Sequence, residues 1–211
     1  MSDKYSSFLQ LSRFEKEGTD YLISTREGDS DTLILVIHGG GIEPGTSEIG
    51  VAIAGSEHSL YIFEGIKYSR NSRLHITSIN FDEPQAIRLA GGSERIVAIH
   101  GCDGDKEVVY VGGKDDQLAE KIRRELALVG VRAERRNDFF LDGLDERNIC
   151  NKNLSSKGVQ LEITHGLRVR MFNGLTRSGR RETTTLFWKF VQAVREALEA
   201  PGEGKPSGIH P

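Results

Sequence analysis

The residues best suited to chemistry sit where two apolar runs end. TLILVI closes on His38, followed by three glycines, Ile42 and Glu43, and RIVAI closes on His100 and Gly101. Glycines at 39, 40 and 41 let the backbone double back, so His38 and Glu43 can approach one point across four intervening residues. Open α/β sheets place ligands in crevices beyond their strand ends. Two imidazoles and a carboxylate delivered from two such ends have the make-up of a catalytic zinc site, with three protein ligands and a fourth position for water. Blander readings compete: a lone His-Gly pair is commonly a turn with a hydrogen-bonded ring, and a Gly-rich turn more often binds phosphate or nothing. Two such endings together with Glu43 favour the metal, one Zn2+ per chain. His75 and His165 are substitute ligands, although His75 lies within RLHITS, where a buried, hydrogen-bonded ring is expected.

A proton carrier is needed beside such a metal, and Glu162 offers one at an alternating position of the apolar run VQLEIT. Burial there raises the proton affinity of a carboxylate, as a general base requires. Exposed strand glutamates are common, so Glu162 gains its weight from the three ligands. Arg147, Asn148 and Arg168 are the candidates for binding substrate carboxylates and a developing oxyanion. Arg168 is expected to border the site because it follows Glu162 by six residues, whereas Arg147 and Asn148 could equally begin a helix with solvated charges. Cys102 reads as a buried thiol filling space near His100. Two rival chemistries lack their motifs. HGGG resembles an esterase oxyanion turn, but no GxSxG elbow accompanies it, and no GxxxxGK[ST] phosphate loop is present.

The elements that must position these residues follow from periodicity. Short β-rich runs recur as YLIST, TLILVIH, SLYIFEG, RLHITSI, RIVAIHG, EVVYVGG, VRAER and VQLEIT, each bounded by turn-forming residues. Helical spacing appears at Leu118, Ile122, Leu126 and Val129, and again at Phe187, Phe190, Val191, Val194 and Leu198. Strands mixed with helices predict a three-layer α/β/α sandwich around a mostly buried, mixed sheet, with LILVI as a central strand. Residues 1–200 are expected to form a single domain and the Pro/Gly-rich stretch 201–211 a flexible tail. Two cysteines are too few for a disulfide framework or a Cys-based zinc site. No apolar run is long enough to cross a bilayer, and no signal segment opens the chain, which predicts a cytoplasmic protein. A net charge of -3 gives no global attraction for nucleic acid, though arginines 168, 170, 177, 180 and 181 make one stretch locally basic.

The motifs HGGGIEPGTSE, SLYIFEG, LHITSINFDEP, VAIHG, VYVGG, NICNKN and VQLEIT occur in that order and resemble the poly-γ-glutamate hydrolase of Bacillus phages and its bacterial relatives, from about Phe14 to Leu198. The resemblance implies a zinc carboxypeptidase-like fold and cleavage of γ-glutamyl amide (isopeptide) linkages. It also implies that His38, Glu43 and His100 match the zinc ligands and Glu162 the general base. Zinc carboxypeptidases space their first ligands as HxxE, whereas here the spacing is HxxxxE, so their substrate contacts do not transfer by position. A monomer acting on a polyanionic γ-glutamyl substrate is expected, released on lysis if phage-derived. Two rivals remain: a zinc amidase or deacylase for a small molecule, and a non-enzymatic, phage-related nucleic-acid-associated (replication) protein using the arginine-rich stretch. No helix-turn-helix, zinc finger or RNA-recognition signature supports the latter.

Overall fold

The computed structural model describes residues 3–135 and 142–199. Seven of the expected strand runs build one sheet: β1 (Tyr21–Arg26), β2 (Thr32–Gly40), β3 (Ser59–Gly65), β4 (Arg95–Cys102), β5 (Val108–Gly113), β6 (Arg132–Glu134) and β7 (Val159–Thr164). Their order is β1-β3-β2-β4-β7-β5-β6. Four adjacent strands, β3, β2, β4 and β7, run parallel, whereas β1 and β5 pair antiparallel with β3 and β7. Every residue of β2 is buried, as an unbroken apolar run in the middle of a covered sheet requires.

Alternation along the strands divides the core in two. Ile34, Val36, Val97, Ile99, Leu161 and Ile163 face one side with helices α2 (Thr46–Ala54), α4 (Asp116–Leu128) and α6 (Thr185–Leu198). Leu33, Leu35, Ile37, Ile96 and Ala98 face the other, under helix α3 (Pro84–Gly91) and the buried Leu74, Ile76 and Phe81. The three-layer α/β/α sandwich with a mixed sheet is therefore present, with its second helical layer the thinner one. Residues 201–211, expected to be a tail, lie outside the described residues. Among the described residues, no helix is long and apolar enough to cross a membrane.

The expected strand RLHITSI is absent. Residues Asn71–Leu74 form a 3-10 turn instead, and the chain then crosses the top of the sheet without pairing. Leu74 and Ile76 are both buried, so the period-2 pattern is real, but it reflects a loop pressed on the core. Four short helices escaped the periodicity: α1 (Phe8–Leu11), α2, α3 and α5 (His165–Met171). Their ends do carry local cues. Glu83 caps α3 by accepting from the Ala86 amide at 2.8 Å ahead of Pro84, and Thr164 caps α5 by accepting from the Leu167 amide.

Candidate functional site

His38, His100 and Glu162 lie at the same ends of three adjacent parallel strands, β2, β4 and β7, and the register sets His100 directly beside Glu162. Parity puts His100 and Glu162 on the thinly covered face, because Val97, Ile99, Leu161 and Ile163 point to the other. Strict alternation would send His38 the wrong way, with Ile34 and Val36. A β-bulge corrects this: Val36 pairs Ile62 and Gly39 pairs Glu64, so β2 holds one more residue than β3 across that step. The extra residue turns the His38 ring onto His100, with ring centroids 4.9 Å apart. Gly40, at φ 64, then reverses the chain, and the loop returns Glu43 to the same point.

Three electron-pair donors converge there. His38 Nδ1 lies 3.0 Å from Glu43 Oε1 and 3.1 Å from His100 Nδ1, and His100 Nδ1 lies 3.8 Å from Glu43 Oε2. Ligands about 2 Å from a tetrahedral zinc are roughly 3.3 Å from one another. His38 donates Nε2–H to the Ile76 carbonyl at 2.9 Å, which leaves the Nδ1 lone pair of the neutral ring facing the cluster. The Gly101 amide donates to Glu43 Oε2 at 2.7 Å and fixes the carboxylate. The other ring nitrogen of His100 is buried with no hydrogen-bond partner. Without a metal, the cluster divides its charge unevenly. Burial lowers the His38 proton affinity, but the Glu43 charge and hydrogen bond outweigh it and raise the pKa. Burial and the neighbouring His38 charge hold His100 down to about 3. Burial opposes ionisation of Glu43, yet His38 carries its pKa down to about 2. Two nitrogens and a carboxylate, crowded at ligand spacing, form a donor set that fits zinc.

Glu162 is 4% exposed. Gln160, two residues earlier on the same face, donates Nε2–H to Glu162 Oε1 at 2.9 Å. His75, read from the sequence as a substitute ligand within an expected strand, stacks on His38 with centroids 3.9 Å apart. Its Nδ1 donates to Asp3 at 2.6 Å, and its Nε2 lies 3.8 Å from Glu43 Oε1. One donor atom each from His38, Glu43 and His75 fall within 4.8 Å of one another, so His75 is a further ligand candidate beside His100. His165 is exposed and does not line the site.

The cluster opens into a cleft of about 870 Å³. Its lining includes Lys4 and Arg73 besides the histidines, Glu43, Cys102, Asn148, Gln160 and Glu162. Cys102 is half-buried on this wall rather than filling the core, and Cys150 is fully buried, its thiol pushed up to about 12 by burial. The expected substrate cations are elsewhere. Arg147 is exposed, bound to Asp145 through Nη2 at 2.7 Å, and outside the cleft. Arg168 is 4% exposed and donates to the carbonyls of Ile163, Pro44 and Cys102 at 3.0, 2.7 and 3.1 Å. It clamps the ends of β2, β4 and β7 from behind. Gly101 makes room for it, since a Cβ there would stand 2.6 Å from the guanidinium carbon. Asn148 lines the cleft, but its amide is engaged by Gln160 and the Cys150 amide. Three more arginines of the basic stretch are also spent on the protein, and none of them lines the cleft. Arg170 pairs with Glu107, Arg177 donates to the Ile66 carbonyl, and Arg180 is buried against Glu48. Sequence proximity misplaced these arginines, because α5 leads the chain away behind the sheet.

A doubly covered α/β sheet that gathers histidines and carboxylates in a cleft beyond its strand ends has the layout of an α/β enzyme. Residues 5–193 match the family described as poly-gamma-glutamate hydrolase, and the chain belongs to that family. The SPbeta prophage-derived UPF0714 protein YoqZ of Bacillus subtilis (strain 168) is 42% identical over 93% of this chain and 72% of its own length. UPF0714 protein YndL of the same organism is 36% identical over 93% of this chain and 78% of its own. Among solved structures, a bacteriophage poly-gamma-glutamate hydrolase superposes with TM-score 0.90 at 34% identity, over 93% of this chain and 96% of that one. An apo, zinc-free YndL superposes with TM-score 0.89 at 35% identity, over 93% and 98%.

Proposed function

We propose that this chain is a zinc-dependent hydrolase that cuts γ-glutamyl amide linkages of poly-γ-glutamate. The observation that carries the reading is the convergence of His38 Nδ1, Glu43 and His100 Nδ1 within 3.0 to 3.8 Å, beside a buried glutamate on the next strand. The family supports the substrate, and the description of the YndL structure as zinc-free supports the metal. His38, Glu43 and His100 would hold one zinc, with His75 stacked on the first of them. Bound zinc supplies Lewis acidity, polarising the scissile carbonyl and making an attacking water more acidic. Glu162, on the strand beside His100, accepts the water proton and returns it to the leaving amine. Gly101 keeps Glu43 oriented through its amide, and Arg168 keeps the three strand ends together.

Poly-γ-glutamate carries a free α-carboxylate beside every scissile amide. Lys4 and Arg73 at the cleft supply cations for those carboxylates, since none of the arginines from 168 to 181 lines it. The test is incubation of purified protein with poly-γ-glutamate and poly-α-glutamate, with zinc and after chelation, following chain length. Shortening of the γ-linked polymer alone, lost on chelation and restored by zinc, is expected. Equal cleavage of both polymers, or of neither by zinc-loaded protein, would sink the substrate assignment.

A further inference from the structure

Glu162 is held by a chain of buried amides whose polarity is set from outside it. The Cys150 backbone N–H can only donate, and it donates to Asn148 Oδ1 at 3.0 Å. Asn148 must therefore turn Nδ2 the other way, where it donates to Gln160 Oε1 at 2.9 Å. That contact fixes the Gln160 amide in turn, so its Nε2–H reaches Glu162 Oε1. Asn148 is 5% exposed and Gln160 3%, so water has little access to these groups. The polarity runs in one direction, from a main-chain donor to the carboxylate.

The frame holding the first amide is itself tied down. Asn148 caps the short turn Ile149–Asn151, and the Ile149 amide donates to the Ser78 carbonyl at 3.1 Å. Asn151 donates to the carbonyls of Gly143 and Asp145 and accepts from the Gly158 amide. A carboxylate one strand away from the histidine cluster can lie in several rotamers, and a fixed donor favours one of them.

We infer that Asn148 and Gln160 are positioning residues whose one-way amide relay orients the Glu162 carboxylate for proton transfer. The inference rests on the reading of Glu162 as the general base, but its structural half can be tested without substrate. Asn148→Asp keeps the acceptor for the Cys150 amide and replaces the donor that faces Gln160 by an oxygen. The Gln160 amide then rotates to donate toward position 148, and its own oxygen confronts Glu162. Glu162→Gln supplies a donor that this reversed relay can accept.

Thermal unfolding of the two single variants and the double variant therefore tests the polarity directly. Asn148→Asp lowers the melting temperature on its own, and most of that loss returns when Glu162→Gln is added. Equal losses in both backgrounds would overturn the relay, because amides that merely fill space do not sense the chemistry at position 162. Gln160→Met, which removes the donor without adding charge, provides the kinetic arm and does not depend on the fate of Asn148→Asp. Its kcat on poly-γ-glutamate should fall about ten- to a hundredfold, with KM within about twofold and zinc content unchanged. Turnover within about twofold of the unaltered protein would also overturn the inference. If the polymer is not cut at all, the melting coupling still stands or falls by itself, which separates failure of the relay from failure of the assigned substrate.

Discussion

At the scale of single residues, the site depends on which atoms are already committed. His38 has given one nitrogen to the Ile76 carbonyl and His100 has one nitrogen buried without a partner, and both turn Nδ1 to Glu43. His38→Ala or His100→Ala should each abolish tight zinc binding, measured by metal analysis after dialysis, and full occupancy in both would remove them as ligands. Glu162→Gln should keep fold and zinc yet lose turnover by about a hundredfold or more, because the amide cannot accept a proton. Arg168 belongs to a different argument, because it touches carbonyls rather than the cleft. Removing its three buried donors by Arg168→Ala should cost roughly 2 to 4 kcal/mol of stability in denaturant unfolding. If that variant unfolds like the unaltered protein but needs more substrate, the clamp is wrong and the sequence-based expectation of a substrate contact is right.

At the scale of elements, the bulge in β2 and the N-terminal segment decide what the cleft contains. One additional residue between Val36 and Gly39 moves His38 across the sheet, a change invisible to any count of alternating residues. The N-terminal segment contributes Asp3, which holds His75, and Lys4. It is fastened by Glu15, which accepts from Tyr5 at 2.5 Å, from Lys4 at 2.9 Å, and from Lys67. Burial alone would raise the Glu15 pKa, but its bonds to Lys67, Tyr5 and Lys4 carry it down from 4.5 to about 2. A folded-state pKa below the unfolded one contributes stability that is present above pH 4.5 and lost as pH falls toward 2. That contribution is on the order of 3 kcal/mol. Urea unfolding at pH 6 and near pH 3 should therefore show a larger acid-induced loss for the unaltered protein than for Glu15→Gln. Parallel losses in the two would show that Glu15 does not anchor the segment through its charge.

For the molecule as a whole, a net charge of -3 means that the proposed polyanionic substrate would have to be met by a local patch. The cations at the cleft are Lys4, already bound to Glu15, and Arg73, whose side chain has no partner among the described residues. Arg73→Ala should raise KM for poly-γ-glutamate roughly three- to tenfold and flatten its rise with salt. Arg181→Ala, in the same basic stretch as Arg168 but outside the cleft, should change neither. A larger effect from Arg181 would move the substrate path out of this cleft.

The sequence alone specified the strands and longer helices, because periods of two and 3.6 are local properties of the chain. It also marked His38, Glu43 and His100, since a histidine followed by glycine where an apolar run ends is a local signature too. Glu162 was legible for the same reason, as the polar interruption of VQLEIT. Tertiary structure decided the rest. That β7 slots between β4 and β5, and so brings Glu162 against His100, follows from a strand order that no run of residues encodes. The same order sends Arg168 behind the sheet and leaves Arg73 in front of it. His75 resembled a strand residue because Leu74 and Ile76 around it are buried, and only the unpaired path of that segment over the sheet turns its ring onto His38. Asn148 and Gln160 looked like ordinary amides until the fold set them in line with Glu162, because hydrogen-bond polarity is a property of contacts, and contacts across many residues are made by packing.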